Sequence, residues 1–239
     1  MKLNANGSSR YLALVVLAAL ASACSQEHRE KDLSTLELSE RDDALFVATT
    51  TLWSTNSVSV CWVNRDSRTE VHQWVQDAIN RTWEFASNVD FVGWGDCGVG
   101  GADIEISVGD SLGPAVWGGL GTGITSMTLN FDPNSSYCGF GHPDETYRTC
   151  MDFIAIHEFG HALGFAHEQN RDDRPLACTE PDQGSDGDET FGDFDWDSVM
   201  NYCNPAYAAH PRLSATDFRG SQHYYGMSGR YIAAVVAAL

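Results

Sequence analysis

Positive charge is scarce in this sequence of 239 residues: 14 lysines and arginines stand against 33 aspartates and glutamates, a formal net charge of -19. So acidic a chain is a poor partner for nucleic acid or for an anionic membrane. The same excess does not identify a substrate, because only the charge lining a cleft would do that. Long apolar runs are also missing. Tyr11–Ala21 (YLALVVLAALA) and Tyr231–Leu239 (YIAAVVAAL) both fall short of the roughly 20 residues that a membrane-spanning helix needs. Internal repeats and low-complexity tracts are absent, which removes repeat architectures from consideration. What remains is a globular composition, 43% hydrophobic and 11% aromatic, at a length suited to one domain with a sizeable core.

The first residues read as an export signal: Lys2 and Arg10 flank the start of the apolar run, and Ala21-Ser22-Ala23-Cys24 follows it. Two readings of that end stay open. Ala-Ser-Ala suits ordinary signal-peptide cleavage. The four residues also resemble the lipobox of bacterial lipoproteins, apart from Ala21 where leucine is usual, and Cys24 would then carry a lipid anchor. In either case residues 1–23 leave the mature chain, and membrane contact is expected only through that lipid. The destination is extracellular or the bacterial cell envelope. Seven cysteines are present, and setting Cys24 aside leaves Cys61, Cys97, Cys138, Cys150, Cys178 and Cys203. An even set suits an oxidising compartment. The expected pairing is local: 61–97, 138–150 and 178–203.

Residues 25–45 are polar and charged without an apolar period, so 24–50 reads as a tether or short pro-segment and 51–239 as the folded domain. Order is expected from about Val58. Val58–Val63 alternates as a strand does, Ser67-Arg68-Thr69-Glu70 fits a capping box, and Val71, Trp74, Val75, Ala78, Ile79 and Trp83 keep a helical rhythm. Val89–Trp94 and Ile104–Val108 read as further strands. Strand, long helix, strand is a βαβ unit, which predicts a mixed sheet with a helix on its face. A Gly-rich stretch (112–126) leads to another strand at Met127–Phe131. Met151–Ala166 reads as a second helix, followed by an acidic loop of about thirty residues, a length usually functional or tied down. Tyr231–Leu239 reads as a terminal helix packed on the domain.

Chemistry concentrates in Ile156–Glu168, I-H-E-F-G-H-A-L-G-F-A-H-E. On a helix His157 and His161 lie about 40° apart and one turn removed, so both imidazoles can reach one ion. Glu158 is the next residue round, beside the metal and suited to act as base on its water. His167 would be carried about 15 Å along a continuous helix from His157. The helix must therefore stop and the chain turn back, and Gly164 is the residue able to adopt the left-handed turn. Three protein ligands leave a position for water, the arrangement of a catalytic zinc.

These residues resemble the metzincin metallopeptidases. Asp195-Trp196-Asp197-Ser198-Val199-Met200-Asn201-Tyr202 is similar to their Met-turn and its approach, which implies that Met200 forms an apolar floor under the zinc. Glu168 after the third histidine, and Tyr202 two residues after Met200, are similar to the astacin-like branch and argue against a matrixin. That resemblance implies that Tyr202 ligates zinc and swings off to hydrogen-bond the tetrahedral intermediate. Asn201 stands where astacins usually carry histidine. In the family the glutamate corresponding to Glu168 meets the freed mature N-terminus. A lipidated Cys24 lies too far upstream for that without further cleavage, which leaves Glu168 a structural salt bridge. The resemblance runs from about Val58 to Gly226, where Leu213–Gly220 and His223–Gly226 look like the segment after the Met-turn.

The implied fold is α+β and zincin-like: a twisted mixed sheet, two long helices above the cleft, an upper part to about residue 164, and a mostly irregular lower part ending in a helix. The implied activity is zinc-dependent hydrolysis of protein or peptide substrates by a monomer, with substrate extended along an edge strand, expected at Met127–Phe131. The rival reading is a surface binding module, or an inactive homologue that keeps its zinc. Asp182, Asp186, Asp188 and Glu189 invite a calcium site, but their spacing is not that of an EF-hand and a solvated acidic loop is the plainer reading. His72, His142, His210 and His223 read as surface or packing residues. Asn80-Arg81-Thr82 and Asn134-Ser135-Ser136 fit glycosylation sequons.

Overall fold

The computed structural model describes residues 45–110, 113–132, 147–205 and 210–238. The export signal, Cys24, His142, the sequon at Asn134 and the partner expected for Cys150, Cys138, lie outside the described residues. Order begins earlier than Val58. Leu45–Val47 forms strand β1, and its Leu45 and Val47 are fully buried, so residues 45–50 of the expected tether belong to the domain. Three residues are too few for a period to show in the sequence.

The alternating segment forms β2 (Ser57–Trp62), and the helical rhythm forms α1 (Thr69–Arg81). Val71, Val75, Ala78 and Ile79 are the buried stripe of α1. The expected capping box does not form. Arg68 is the N-cap without a side-chain bond, and Asp66 Oδ1 instead accepts from the Arg68 amide at 2.9 Å, upstream of Ser67. Thr82 breaks the helix, and Trp83 opens a short second one, α2 (Trp83–Ala86). β3 (Asp90–Asp96) and β4 (Ile104–Val108) follow. β2 lies parallel to both, which completes the predicted βαβ unit, and the Cys61–Cys97 disulfide ties β2 to the residue after β3.

β5 (Ala115–Trp117) and β6 (Ser126–Leu129) finish a five-stranded sheet of order β3-β2-β4-β6-β5. β6 is parallel to β4 and β5 is antiparallel to β6. This corrects the expected edge. Met127–Phe131 supplies an interior strand, and the edge is β5, hidden in the sequence by its length and its glycine neighbours.

The second long helix is α3 (Tyr147–Ala162), buried without a break from Cys150 to Ala162. Its apolar residues face every side, and the polar ones among them, Asp152, His157, Glu158 and His161, are enclosed too. After it come β7 (Glu189–Phe191), which pairs antiparallel with β1, then α4 (Ala215–Tyr225) and α5 (Gly229–Ala237). α5 forms as expected but packs little: Tyr231 meets Phe85 and Phe218, whereas Ile232, Val235 and Val236 are exposed. The chain is thus an α+β fold with a mixed sheet and two long helices.

Trp83 joins these layers, being fully buried and donating from its indole nitrogen to the Ile156 carbonyl of α3 at 2.8 Å. Trp83→Ala is expected to cost about 3–5 kcal/mol of stability. Denaturant unfolding measures this, and a cost below about 1 kcal/mol would contradict the placement.

Candidate active site

α3 ends in a Schellman arrangement that reverses the chain. Phe165 N donates to Gly160 O and Gly164 N to His161 O, both at 3.0 Å, and Gly164 takes φ +89° as the reversal requires. The remaining carbonyls of the helix end also find donors. Trp53 Nε1 bonds Ala162 O and the Tyr225 hydroxyl bonds Leu163 O, each at 2.7 Å. β1 clamps the reversed strand through Ala48 N to Gly164 O and Ala166 N to Phe46 O. His167 follows in extended backbone and so comes back beside the two helical histidines.

The His167 Nε2 lies 3.1 Å from that of His157 and 3.2 Å from that of His161. Each ring has its other nitrogen on a backbone carbonyl: His157 Nδ1 on Val199 O at 2.8 Å, His161 Nδ1 on Phe165 O at 2.7 Å, His167 Nδ1 on Gln183 O at 2.9 Å. A carbonyl only accepts, so Nδ1 carries the proton and each Nε2 turns a lone pair towards the others. Burial holds all three rings neutral, pushing His157 down to about 3 and His161 and His167 below the usual imidazole range. Converging lone pairs repel unless they share a cation. Tetrahedral zinc with bonds of 2.0–2.1 Å separates its nitrogens by about 3.3–3.4 Å, close to the spacing seen, so the trio fits zinc. Among the described residues, these three side chains alone make up the cluster.

Glu158 is buried with them, and its Oε2 has no hydrogen-bond partner among the described residues. Burial lifts its carboxyl to about 8, a shift that a neighbouring divalent cation opposes. The Tyr202 ring stacks on that of His157, centroids 5.4 Å apart, and lies tilted against that of His167 at 4.5 Å. Met200 is fully buried below α3, against Gly160. A Cβ on Gly160 would collide with the Met200 sulfur, so the glycine makes room for the turn.

Some supporting residues, Gln169, Arg171 and Asp217, are not among those the sequence pointed to, whereas Glu168 is. Gln169 is fully buried and accepts from Tyr202 N at 3.0 Å. Glu168 is fully buried, paired with Arg171 at 3.1 Å and accepting from Asp195 N at 3.0 Å. That is a salt bridge within the chain. Burial pushes the Glu168 carboxyl up and Arg171 pulls the other way. Asp217 had a legible signal in Ser214-x-x-Asp217, which forms a true capping box. The Cys178–Cys203 disulfide pins the acidic loop to the residue after Tyr202. In that loop the four carboxylates have separate partners: Asp182 has Arg174, Asp186 has Asn170, Asp188 has Thr49 and Glu189 has Tyr224. His72 is buried against Trp62 and Phe131, and His223 packs on Phe191.

Compared with known proteins, residues 146–178 match the astacin family of peptidases. The curated protein "Astacin-like metalloprotease toxin 4" of Loxosceles laeta is 37% identical over 81 residues, which cover 28% of this chain and 71% of that protein. Among solved structures, myroilysin aligns with a TM-score of 0.49 at 21% identity, covering 75% of this chain and 97% of that one. High choriolytic enzyme 1, a hatching enzyme zinc-protease from the medaka Oryzias latipes, aligns with a TM-score of 0.48 at 18% identity, covering 74% and 95%.

The contact between Gly160 and Met200 is directly testable. Gly160→Ala is expected to destabilise the protein by about 1–3 kcal/mol through overpacking. Combined with Met200→Ala, the two costs should not add, because the smaller side chain admits the new methyl group. Thermal or denaturant unfolding of the four variants of the cycle measures this, and strict additivity would speak against the contact.

Proposed function

The chain belongs to the astacin family of zinc metallopeptidases, and from that premise we propose an exported endopeptidase in which His157, His161 and His167 hold the zinc and Glu158 is the general base. The observation that carries this reading is the convergence of three neutral imidazole Nε2 atoms on one point, each fixed from behind by a backbone carbonyl. Zinc bound there supplies a Lewis acid for the scissile carbonyl and lowers the pKa of water towards about 7.

Glu158 takes a proton from the attacking water and passes it to the leaving amine nitrogen. The unpartnered Oε2 supports that role, since a carboxylate oxygen committed elsewhere would not be available to water. Tyr202 would join the histidines in holding the zinc and would donate from its phenol to the developing oxyanion, a part supported by its ring lying against those of His157 and His167. Met200 is the apolar floor. Substrates are proteins or peptides, laid extended against β5, the exposed antiparallel edge, instead of the strand expected from sequence.

A purely structural zinc would call for a fourth protein ligand that closes the site permanently, whereas the Tyr202 phenol is proposed to leave the metal during the reaction. The cluster of three histidines favours catalysis over a binding module. Export rests on the signal read in residues 1–23, after which the chain is either released or held by Cys24 as a candidate lipid anchor, and the disulfides Cys61–Cys97 and Cys178–Cys203 suit an oxidising compartment.

Glu158→Gln is expected to lower hydrolysis of an unfolded protein such as casein by at least about 100-fold while keeping one zinc per chain. Chelation should remove both zinc and activity from the wild type, and added zinc should restore them. Activity retained by the Gln variant would sink the mechanism.

A further inference from the structure

We propose that Asp217 is a positioning residue for the zinc site, acting through Ser198 and a single peptide unit on the ring of His157. The proposal rests on His157 being a zinc ligand. Asp217 is fully buried in the first turn of α4, sixty residues beyond that histidine in the chain. Its carboxylate accepts three hydrogen bonds: from Ser198 Oγ at 2.7 Å, Val199 N at 2.9 Å and Ser214 N at 3.0 Å. Ser198 Oγ, its own proton given to Asp217, accepts from Met200 N at 3.0 Å.

The Met200 N–H and the Val199 carbonyl are the two ends of one planar peptide unit. Held at its N–H by Ser198, that unit aims its oxygen at His157 Nδ1, 2.8 Å away. The next carbonyl along, Met200 O, accepts from Glu168 N at 2.9 Å, beside His167. One buried carboxylate thus sets the register of the turn that orients the first histidine and ties down the backbone after the third. An imidazole oriented by its outer nitrogen is a better ligand than one left to rotate.

The test measures zinc affinity in the folded protein by competition with a chromophoric chelator. Asp217→Ala and Ser198→Ala are each expected to weaken zinc binding by about 10–100-fold. Ser198→Thr keeps the hydroxyl and should restore affinity. Ser228→Ala removes the cap of α5, away from the site, and should lower thermal stability with zinc affinity unchanged. The visible spectrum of the cobalt-substituted protein should shift in Ser198→Ala and return in Ser198→Thr. Ser198→Ala leaves the carboxylate in place, so it decides the matter if Asp217→Ala does not fold. Wild-type zinc affinity in folded Ser198→Ala overturns the proposal. A wild-type chain that takes up no zinc overturns the ligand assignment, and this proposal with it.

Discussion

Three imidazole nitrogens directed at one point repel one another, and the rest of the molecule is arranged around holding them there. The carbonyls that fix them come from three separate stretches of chain: Phe165 just past α3, Gln183 in the acidic loop and Val199 in the Met-turn. No local segment could do this alone. The histidines are therefore oriented only when α3, the loop and the turn are all in place. Binding of a cation converts their mutual repulsion into attraction, so affinity for metal and stability of the lower half of the domain are coupled quantities.

The return of the chain at Gly164 is the second condition. A helix end leaves carbonyls unpaired, and burying one without partners is expensive. Here the end of α3 is enclosed, and its carbonyls are met by backbone amides, the Trp53 indole and the Tyr225 hydroxyl. Two of those donors come from the far ends of the domain. The reversal that delivers His167 is thus paired with closure of the N-terminal strand and of α4 over it. This explains why Leu45 and Val47, at the start of the described chain, are as buried as the helix itself.

Spacing alone makes the zinc motif legible in the sequence, because each of its fixed positions answers a geometric need. β4 and the buried stripe of α1 are equally legible, since a period written over several residues survives tertiary packing. The losses have physical causes. β1 and β5 have three residues each, too few to carry a period, and β5, once missed, misplaces the sheet edge. The capping box at Ser67 does not form because Asp66 takes the Arg68 amide in a turn before the helix, and its carboxylate also reaches the Arg68 guanidinium at 2.7 Å, a charged bond that serine could not make. Gly160 and Asp217 matter through partners distant in sequence, Met200 forty residues on for one, Ser198 and Val199 nearly twenty residues back for the other. Nothing local distinguishes such residues from an ordinary helical glycine or an ordinary cap.

Glu168 shows what the described chain itself supplies at a motif position. The family resemblance gives this position a freed N-terminus to meet. In this chain a guanidinium three residues on, Arg171, stands against it, and both side chains are wholly buried. Arg171 is further shared with Asp173 and with the Gly192 carbonyl. The positive charge is therefore neutralised on several sides, and Glu168 also holds Asp195 N. A buried pair of this kind gains little over apolar packing, but removing one partner strands the other at a cost of about 3–5 kcal/mol. Its effect is conformational: it locks the turn after His167 to the approach of the Met-turn. The backbone after His167 and the turn at Met200 are thus joined by charge as well as by the backbone bond from Glu168 to Met200.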